Sequence, residues 1–333
     1  MGVLVFSSLA VVYIAQPPAF GSITSALDVY VIVLNVDQLV RWLGSVTWAW
    51  VSAGRLDALF AAWRDYERLF GAEPLPKTCR YLGCFVAYQV ISFVYVGAVT
   101  VAASVEKGVD WRLAAVRVAS PTAAYGGFVF WLILFASMCR GLAEVFGLIT
   151  ERLREAAERG DLHHLRRLAH QHSRVAALAD ELCRTFGGFV AVGMYMLILE
   201  VSLSVYFGMR PGQEAGGSGS PALRALQRLL TPSSLILLKL MTNAGHGCQR
   251  ESRRAAEEMH QKLRNRLAGD GGESAAVRAE LLEIYTQLEG QAVNMDMAGY
   301  FTLDRQFFVQ SIKDFLTLII AAVQFDMPFL LKQ

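Results

Sequence analysis

The sequence predicts an all-helical, polytopic membrane protein with seven transmembrane helices. Three observations lead to this fold class. The chain of 333 residues is 54% hydrophobic and only 18% charged, whereas soluble domains average roughly 25% charged. Its apolar residues gather in blocks of about 20, the length that crosses roughly 30 Å of hydrocarbon as a helix. The blocks are apolar on most faces, which excludes the alternating polarity of β-barrel strands.

Seven such blocks follow one another along the chain. The first is short for a span and has no basic residue before it, so we expect a truncated first span rather than a signal peptide. The predicted spans are 3–15, 23–50, 81–103, 122–146, 186–207, 229–248 and 301–325.

The loops between these blocks differ strongly in positive charge. Loops after the even-numbered spans hold twenty Lys and Arg, and the opposite loops hold six. Because cytoplasmic loops carry the excess, the N-terminus is predicted to lie inside the cell. A G-protein-coupled-type receptor has the reverse orientation. It stays open as an alternative, as does a membrane transporter, although spans 1–3 and 4–6 show no internal repeat typical of transporters.

The predicted cytoplasmic segments have apolar residues at intervals of three and four, which predicts helices. ERLREAAERG (151–160), the segment 164–186 and ESRRAAEEMHQKLRNRL (251–267) continue spans 4, 5 and 6, and AAVRAELLEIYTQLEG (275–290) precedes span 7. We expect these helices to pack together below the membrane. They are either solvated extensions or an assembly domain.

Several classes of function find no support. The chain has no Gly-rich phosphate loop, HExxH or Gly-x-Ser-x-Gly motif, so it is not predicted to be an enzyme, and no cofactor or metal is expected. Its five cysteines fall near cytoplasmic span ends, where thiols stay reduced. Basic residues are interleaved with Glu and Asp, so we expect no nucleic-acid partner.

The seventh block carries an unusual polar stripe. At about 100° per residue, one face of this helix holds Gln306, Gln310, Lys313, Thr317, Ile320, Ala321 and Gln324. A charge at the bilayer centre costs roughly 2.5–3.5 kcal/mol, so the stripe must be hidden from lipid. Either it packs inside its own chain with Lys313 salt-bridged, or it lines a water-filled path with a hydrophobic constriction at Ile320 and Ala321. One helix cannot enclose a pore, so the second reading requires a symmetric oligomer.

The end of this block resembles the insect gustatory receptor family. The last span of that family carries Thr-Tyr, five hydrophobic residues and Gln-Phe; here the stretch is TLIIAAVQF, with Thr317, Gln324 and Phe325 in place and Leu318 instead of the tyrosine. GYFTLDRQFF (299–308) is similar to the family's entry to its last span. The resemblance implies a ligand-gated, non-selective cation channel in the plasma membrane of sensory neurons. It also implies a homo- or hetero-tetramer of related receptors, with span 7 lining the pore and Gln324 and Phe325 near the gate.

The resemblance further implies a pocket for a small-molecule tastant, a sugar or a bitter compound, among the outer halves of spans 2 to 6. Each candidate also has a packing interpretation; Glu200, for example, would pair with a group such as Lys239. Separately, Asp37 is expected to pair with Arg41 four residues later. The candidates are Tyr30, Tyr95, Tyr125, Trp131 and Glu200.

These expectations divide the chain into three regions. Residues 1–250 hold spans 1–6 with the ligand pocket, residues 251–300 form a cytoplasmic helical anchor, and residues 301–333 hold the pore-lining span and a short extracellular tail. The expected partners are the tastant, cations and membrane lipid.

Overall fold

The structure, a computed structural model, describes residues 40, 41, 43–70, 111–209, 221–268 and 275–330, with a few isolated positions between 83 and 98. Predicted span 1, most of span 3 and the first part of span 2 lie outside these residues. Residues 43–51 are helical. They continue into the first named helix through Ser52, whose N–H donates to Trp48 O and whose O accepts from Leu56 N–H, both at 2.8 Å. The named helices are α1 (Ala53–Phe70), α2 (Trp111–Arg159), α3 (Leu162–Met209), α4 (Pro221–Ala268), α5 (Ala275–Gly290) and α6 (Arg305–Leu330).

Helices α2, α3 and α4 are long enough to cross a membrane and continue beyond it. They contain 49, 48 and 48 residues, or roughly 70 Å each at 1.5 Å per residue, more than twice the thickness of the hydrocarbon layer. Two described stretches, Gly126–Arg159 and Leu162–Ser202, are long and apolar enough to span a membrane. The prediction that the cytoplasmic segments continue spans 4, 5 and 6 as helices is confirmed.

A tight turn makes α2 and α3 antiparallel neighbours. Gly160 has a φ of 72°, the left-handed conformation in which helices commonly end at a glycine. The next residue, Asp161, accepts a hydrogen bond from the backbone N–H of His164 at 3.0 Å and so caps the start of α3. Because the turn is this short, residues at matching distances from it lie side by side.

This side-by-side packing shows that the predicted inner ends of spans 4 and 5 do not match in depth. Phe146, the last residue of predicted span 4, lies beside His172, with ring centroids 4.9 Å apart. His172 precedes the predicted start of span 5, Phe186, by roughly 20 Å of helix. Phe186 itself packs against Phe135, with ring centroids 5.7 Å apart. Two span ends at one membrane surface lie at about the same depth, so the predicted ends at Phe146 and Phe186 do not both hold as drawn.

This part of α2 is apolar because it lies in a protein core. Leu142, Val145 and Phe146 are at most 1% exposed, so they are apolar for contact with protein and not with lipid. Apolar sequence alone does not distinguish these two environments. The loop charges and the predicted orientation do not depend on exactly where spans 4 and 5 end.

The cytoplasmic helices pack on one another, as predicted. Helix α5 buries Leu281, Ile284 and Leu288. Ser173 of α3 hydrogen-bonds to Gln291, which follows α5, and accepts from Gln287 Nε2 at 3.1 Å. Lys262 of α4 bridges to Glu158 of α2 at 3.2 Å. Helices α2 to α5 therefore form one bundle below the predicted membrane.

A hairpin connects this bundle to α6. Met297 N–H donates to Phe301 O, and Leu303 N–H donates to Met295 O, both at 2.8 Å. Ala298 and Gly299 have φ values of 54° and 78°, left-handed conformations that let the chain reverse direction within the three residues between Met297 and Phe301. Met295, Met297 and Leu303 are 0% exposed. The hairpin therefore inserts its apolar side chains into the core just before α6 begins.

Two glycines allow the hairpin to lie directly against the bundle. A Cβ added at Gly245 of α4 would lie 2.5 Å from Leu303 O, and one at Gly187 of α3 would lie 3.0 Å from Ala298 N. Any other residue would force the two backbones apart. The hairpin is thus held between α3 and α4, where only glycine permits the approach.

We expect Gly245→Ala to lower the thermal stability of the detergent-solubilised protein, because its Cβ overlaps a backbone oxygen that cannot rotate away. The expected loss is about 1–3 kcal/mol, the usual range for overpacking. The control is Gly247→Ala two residues along α4, where a Cβ meets nothing within 4 Å and alanine should stabilise the helix slightly. Equal melting temperatures for the two variants would contradict the close packing.

A buried histidine joins three helices of the cytoplasmic bundle. The His172 side chain is 0% exposed, its Nε2 lies 3.1 Å from Ser252 O of α4, and its ring packs on Phe146 of α2. Ser252 Oγ in turn accepts from Val293 N–H at 3.2 Å. Burial lowers the pKa of His172 below its ordinary value, against a smaller opposing effect of the Ser252 hydrogen bond.

The lowered pKa makes the bundle sensitive to acid. Below the ordinary histidine pKa of about 6.5, the unfolded chain binds a proton at this position while the folded chain still resists it. Stability is therefore fully present above that pH and falls as pH drops towards the folded pKa. We expect the melting temperature to fall less between pH 7.5 and 5.5 in His172→Gln than in the unmodified protein. His163→Gln, an exposed position, should behave like the unmodified protein.

Candidate pore face and ligand cavity

Helix α6 begins at a well-defined cap. Asp304 Oδ1 accepts from Phe307 N–H at 2.8 Å, which satisfies one of the free N–H groups of the first turn. Phe307 stacks on Phe301 of the hairpin with ring centroids 3.9 Å apart, and Phe301 packs edge-on against Tyr195 of α3 at 6.0 Å. The direction in which α6 leaves the bundle is set by these contacts.

One face of α6 packs on the bundle. Counting about 100° per residue from Gln306, Phe308, Ser311, Phe315 and Ile319 lie on the opposite side of the helix. Ser311 is 1% and Ile319 8% exposed, and the two phenylalanines pack partly buried against the core. The face of α6 turned towards its own chain is therefore the face opposite the polar stripe.

The polar stripe itself lies on the surface of the chain. Ala321 is half-buried, and the Phe325 side chain lies outside the described residues. Gln310 Nε2 donates to Asp314 Oδ1 at 2.9 Å, and Thr317 Oγ1 donates to Lys313 O at 2.9 Å, so both bonds stay within α6. This exposure favours the alternative in which the stripe lines a path over the one in which it packs inside its own chain. The exposed members are Gln306, Gln310, Lys313, Thr317, Ile320 and Gln324.

A recess of about 740 Å³ opens beside the first turns of α6. Asp304, Arg305 and Lys313 bring both signs of charge to it, and Gln306 and Gln310 line it as well. The first turns of the stripe therefore border a recess lined by polar and charged side chains, while its far end around Ile320 is apolar.

A second feature is a buried ion pair between residues far apart in sequence. Arg41 Nη2 lies 2.8 Å from Glu200 Oε2 of α3, and the two side chains are 1% and 3% exposed. The same Nη2 donates to Met196 O at 3.3 Å, and the guanidinium lies over the Phe128 ring at 5.1 Å. The prediction that Glu200 is paired is confirmed, but its partner is Arg41 and not Lys239. Asp37, the predicted partner of Arg41, lies outside the described residues.

A cavity of about 220 Å³ adjoins this ion pair. Arg41, Trp48, Phe128 and Phe189 line it together with small and aliphatic residues. The Trp48 ring lies 4.7 Å from Phe189, and its Nε1 donates to Thr185 O at 3.2 Å. The cavity therefore has rigid aromatic walls and a cation at one side.

The predicted ligand residues relate to this cavity only in part. Glu200 holds Arg41, and Trp131 packs on Trp48 with ring centroids 5.1 Å apart. Both therefore contact lining residues without lining the cavity themselves. Tyr30, Tyr95 and the Tyr125 side chain lie outside the described residues. The cavity uses the end of predicted span 2 and the start of span 5, and therefore lies nearer the cytoplasm than the outer halves in which we expected a pocket.

Sequence reasoning missed Arg41 as a site residue, although a signal was present. An ionisable residue inside a predicted span is a candidate functional group by itself. The nearby Asp37 offered a local partner, and a partner 159 positions away cannot be recognised from spacing.

The fold and its polar helix define the class of the protein: a polytopic membrane protein whose described residues are almost entirely helical. Residues 20–329 match the model of a family described as 7tm Chemosensory receptor, and the chain belongs to this family. This assignment confirms the predicted chemoreceptor family and fold class, and it confirms a receptor rather than an enzyme. It does not separate taste from smell.

Solved structures agree on the fold. The insect olfactory receptor OR5 from Machilis hrabei in complex with eugenol is 15% identical to the chain with a TM-score of 0.64, and the same receptor described without eugenol is 14% identical with a TM-score of 0.66. Each comparison covers 97% of this chain and 86% of the receptor. No curated protein matches the chain.

The buried ion pair gives a stability prediction. Arg41→Met leaves the Glu200 carboxylate buried without its cation, so we expect a loss of about 3–5 kcal/mol, seen as a lower melting temperature in detergent. The double variant Arg41→Met, Glu200→Leu should recover most of this loss, because neither charge remains. As a control, Arg254→Ala removes an exposed ion pair with Glu258 and should change stability by less than about 1 kcal/mol. A double variant as unstable as the single one would contradict the pairing.

Proposed function

We propose that the protein is a gustatory receptor, a ligand-gated non-selective cation channel of the sensory-neuron plasma membrane. In this proposal four subunits surround a central axis and each contributes the polar stripe of α6. The exposed stripe is the main support for this proposal, because it holds glutamines and a lysine where a membrane helix would otherwise meet lipid. The TLIIAAVQF stretch and the resemblance of residues 299–308 favour a taste receptor over a smell receptor.

The charge and polarity of the stripe require a watery or protein environment. Lys313 and Gln310 in hydrocarbon would cost several kcal/mol, and their own chain does not cover them. A symmetric assembly around the stripe places these groups in water at no such cost. Val309 and Leu316 on one flank and Leu318 on the other are 55%, 50% and 44% exposed, and they provide apolar surface for contact with the neighbouring copies of α6.

The stripe changes character along its length in a way that suits a gate. Its inner part has Gln306, Gln310 and Lys313 beside a wide recess, and its outer part narrows to Ile320 and Ala321 before Gln324. An apolar ring in a water-filled path can close by dewetting. We place the gate at Ile320 to Phe325, with residues 301–333 as the pore region.

Coupling between ligand and gate would pass through α3. This helix carries Glu200 at the cavity and Gly187 at the hairpin, and the hairpin leads directly into α6. A ligand that favours one arrangement of α3 would move the hairpin and with it the packed face of α6. Such a ligand shifts the equilibrium between two arrangements of α3 only by the difference in its affinity for them. Residues 1–250 then serve as the ligand-responsive region, and residues 251–300, with α5, as the anchor between subunits.

Cysteine substitution followed by a charged thiol reagent tests the pore face. We expect Thr317→Cys and Gln324→Cys channels, expressed in cells without their own conductance, to lose most of their ligand-evoked cation current after modification. The matched control is Ser311→Cys, which differs from serine by one atom and lies on the packed face at 1% exposure; its current should be unchanged. The native Cys139, Cys183 and Cys248 are buried and should not react. Equal sensitivity of Ser311→Cys and Thr317→Cys would contradict the proposed pore face.

A further inference from the structure

The cavity beside the Arg41–Glu200 ion pair has the features of a selective binding site. We propose that it binds small, neutral, ring-containing compounds that carry one hydrogen-bond acceptor, such as an aryl ketone or aryl ether. Binding itself follows from the cavity, whereas its consequence for current depends on the proposed channel function.

The walls of the cavity select for a flat apolar body. Trp48, Phe128 and Phe189 provide aromatic surface, and Phe128 and Phe189 lie 5.6 Å apart. Aromatic pairs of this kind favour a ring held against their faces or edges. At about 220 Å³, the cavity is smaller than the roughly 300–1,000 Å³ pockets that take drug-sized ligands, so one substituted ring is the largest body that fits.

The charge of the cavity selects for a neutral ligand. Arg41 is buried and its charge is already matched by Glu200 at 2.8 Å, so the pair is neutral as a whole. A ligand carboxylate would place a second anion beside Glu200, and a ligand ammonium would face the guanidinium of Arg41. Both arrangements put like charges together in a site of low dielectric. The partial negative charge of a carbonyl or ether oxygen is favoured next to the guanidinium.

The small number of polar side chains disfavours a sugar. Among the lining residues that the structure describes, Arg41 and Ser45 alone carry polar side-chain groups besides the indole N–H of Trp48, and that N–H donates to Thr185 O. A sugar would bury several hydroxyls without partners, at a cost of roughly 1–3 kcal/mol for each. The inference therefore narrows the expected tastant from a sugar or bitter compound to a neutral aromatic one.

The opening of the cavity is consistent with such a ligand. Gly44, Gly188 and Val192 line it and are exposed, and all three belong to predicted spans. In the predicted topology the mouth therefore lies at the level of the membrane, where a neutral aromatic compound partitions and a sugar or an ion does not.

Two exposed glycines, Gly188 at the cavity and Gly127 away from it, provide a blocking variant and its matched control. A Cβ at Gly188 meets nothing within 4 Å, and the same is true of Gly127 on α2, which does not line the cavity. Gly188→Phe therefore blocks the cavity, and Gly127→Phe is the matched control, because both positions are exposed.

The test uses purified full-length protein in lipid nanodiscs with acetophenone, benzoate, benzylamine and glucose as probes. Acetophenone should quench the fluorescence of Trp48 saturably, and Trp48→Phe should lose this signal. Gly188→Phe should raise the half-saturating concentration at least about tenfold, whereas Gly127→Phe should leave it unchanged. Benzoate, benzylamine and glucose should neither quench nor compete. Saturable binding of any of these three, equal binding in Gly188→Phe, or no quenching because a lipid chain already occupies the cavity would each overturn the proposal.

Currents recorded from the same variants separate this proposal from the channel proposal. Binding without any evoked current would support the cavity assignment and contradict the channel. A current evoked by acetophenone and retained in Gly188→Phe would support the channel and contradict the cavity as its ligand site.

Discussion

The attachment of α6 to the bundle by a single hairpin is the constraint on which the account depends. Gly187 and Gly245 let the backbone of residues 295–303 lie against α3 and α4, and Asp304 starts the helix directly afterwards. With its first turns held in this way, α6 can pack only one face, the one that contains Ser311 and Ile319. The opposite face, with its glutamines and Lys313, is then left on the surface of the chain.

Helix α3 connects the two parts of the molecule that the proposals concern. It carries Glu200, which holds Arg41 beside the cavity, and Gly187, which contacts the hairpin, on one continuous helix. The low exposure of both contacts means that α3 cannot shift at one without repacking the other, since closely packed interiors transmit displacement. Through these two contacts, α3 would link a ligand in the cavity beside Arg41 to the position of α6.

Local pattern predicted much of this fold, and long-range contact explains what it did not. The segment 275–290 was predicted as a helix from its apolar spacing and forms α5 at those bounds, and the stripe of span 7 was predicted from residue angles alone. The hairpin at 295–303 was not predicted, because its two positive φ values include Ala298, which gives no turn signal. Likewise, Arg41 and Glu200 are too distant in sequence for their pairing to be read from spacing. The inner ends of spans 4 and 5 were not placed at matching depths, because residues such as Leu142 and Phe146 are as apolar in a protein core as they would be in lipid.

The central claim is that the stripe of α6 meets its own copies around a common axis. Pulsed electron paramagnetic resonance on protein in lipid nanodiscs measures this directly, with one spin label per subunit at Gln324→Cys in a variant whose Cys79 and Cys84 are replaced by serine. A fourfold arrangement predicts two distances between labels in a ratio of about 1.4, both shorter than those from a label at the exposed Tyr195 of α3. A single broad distribution as long as that from Tyr195→Cys, or no distance between subunits at all, would contradict the account.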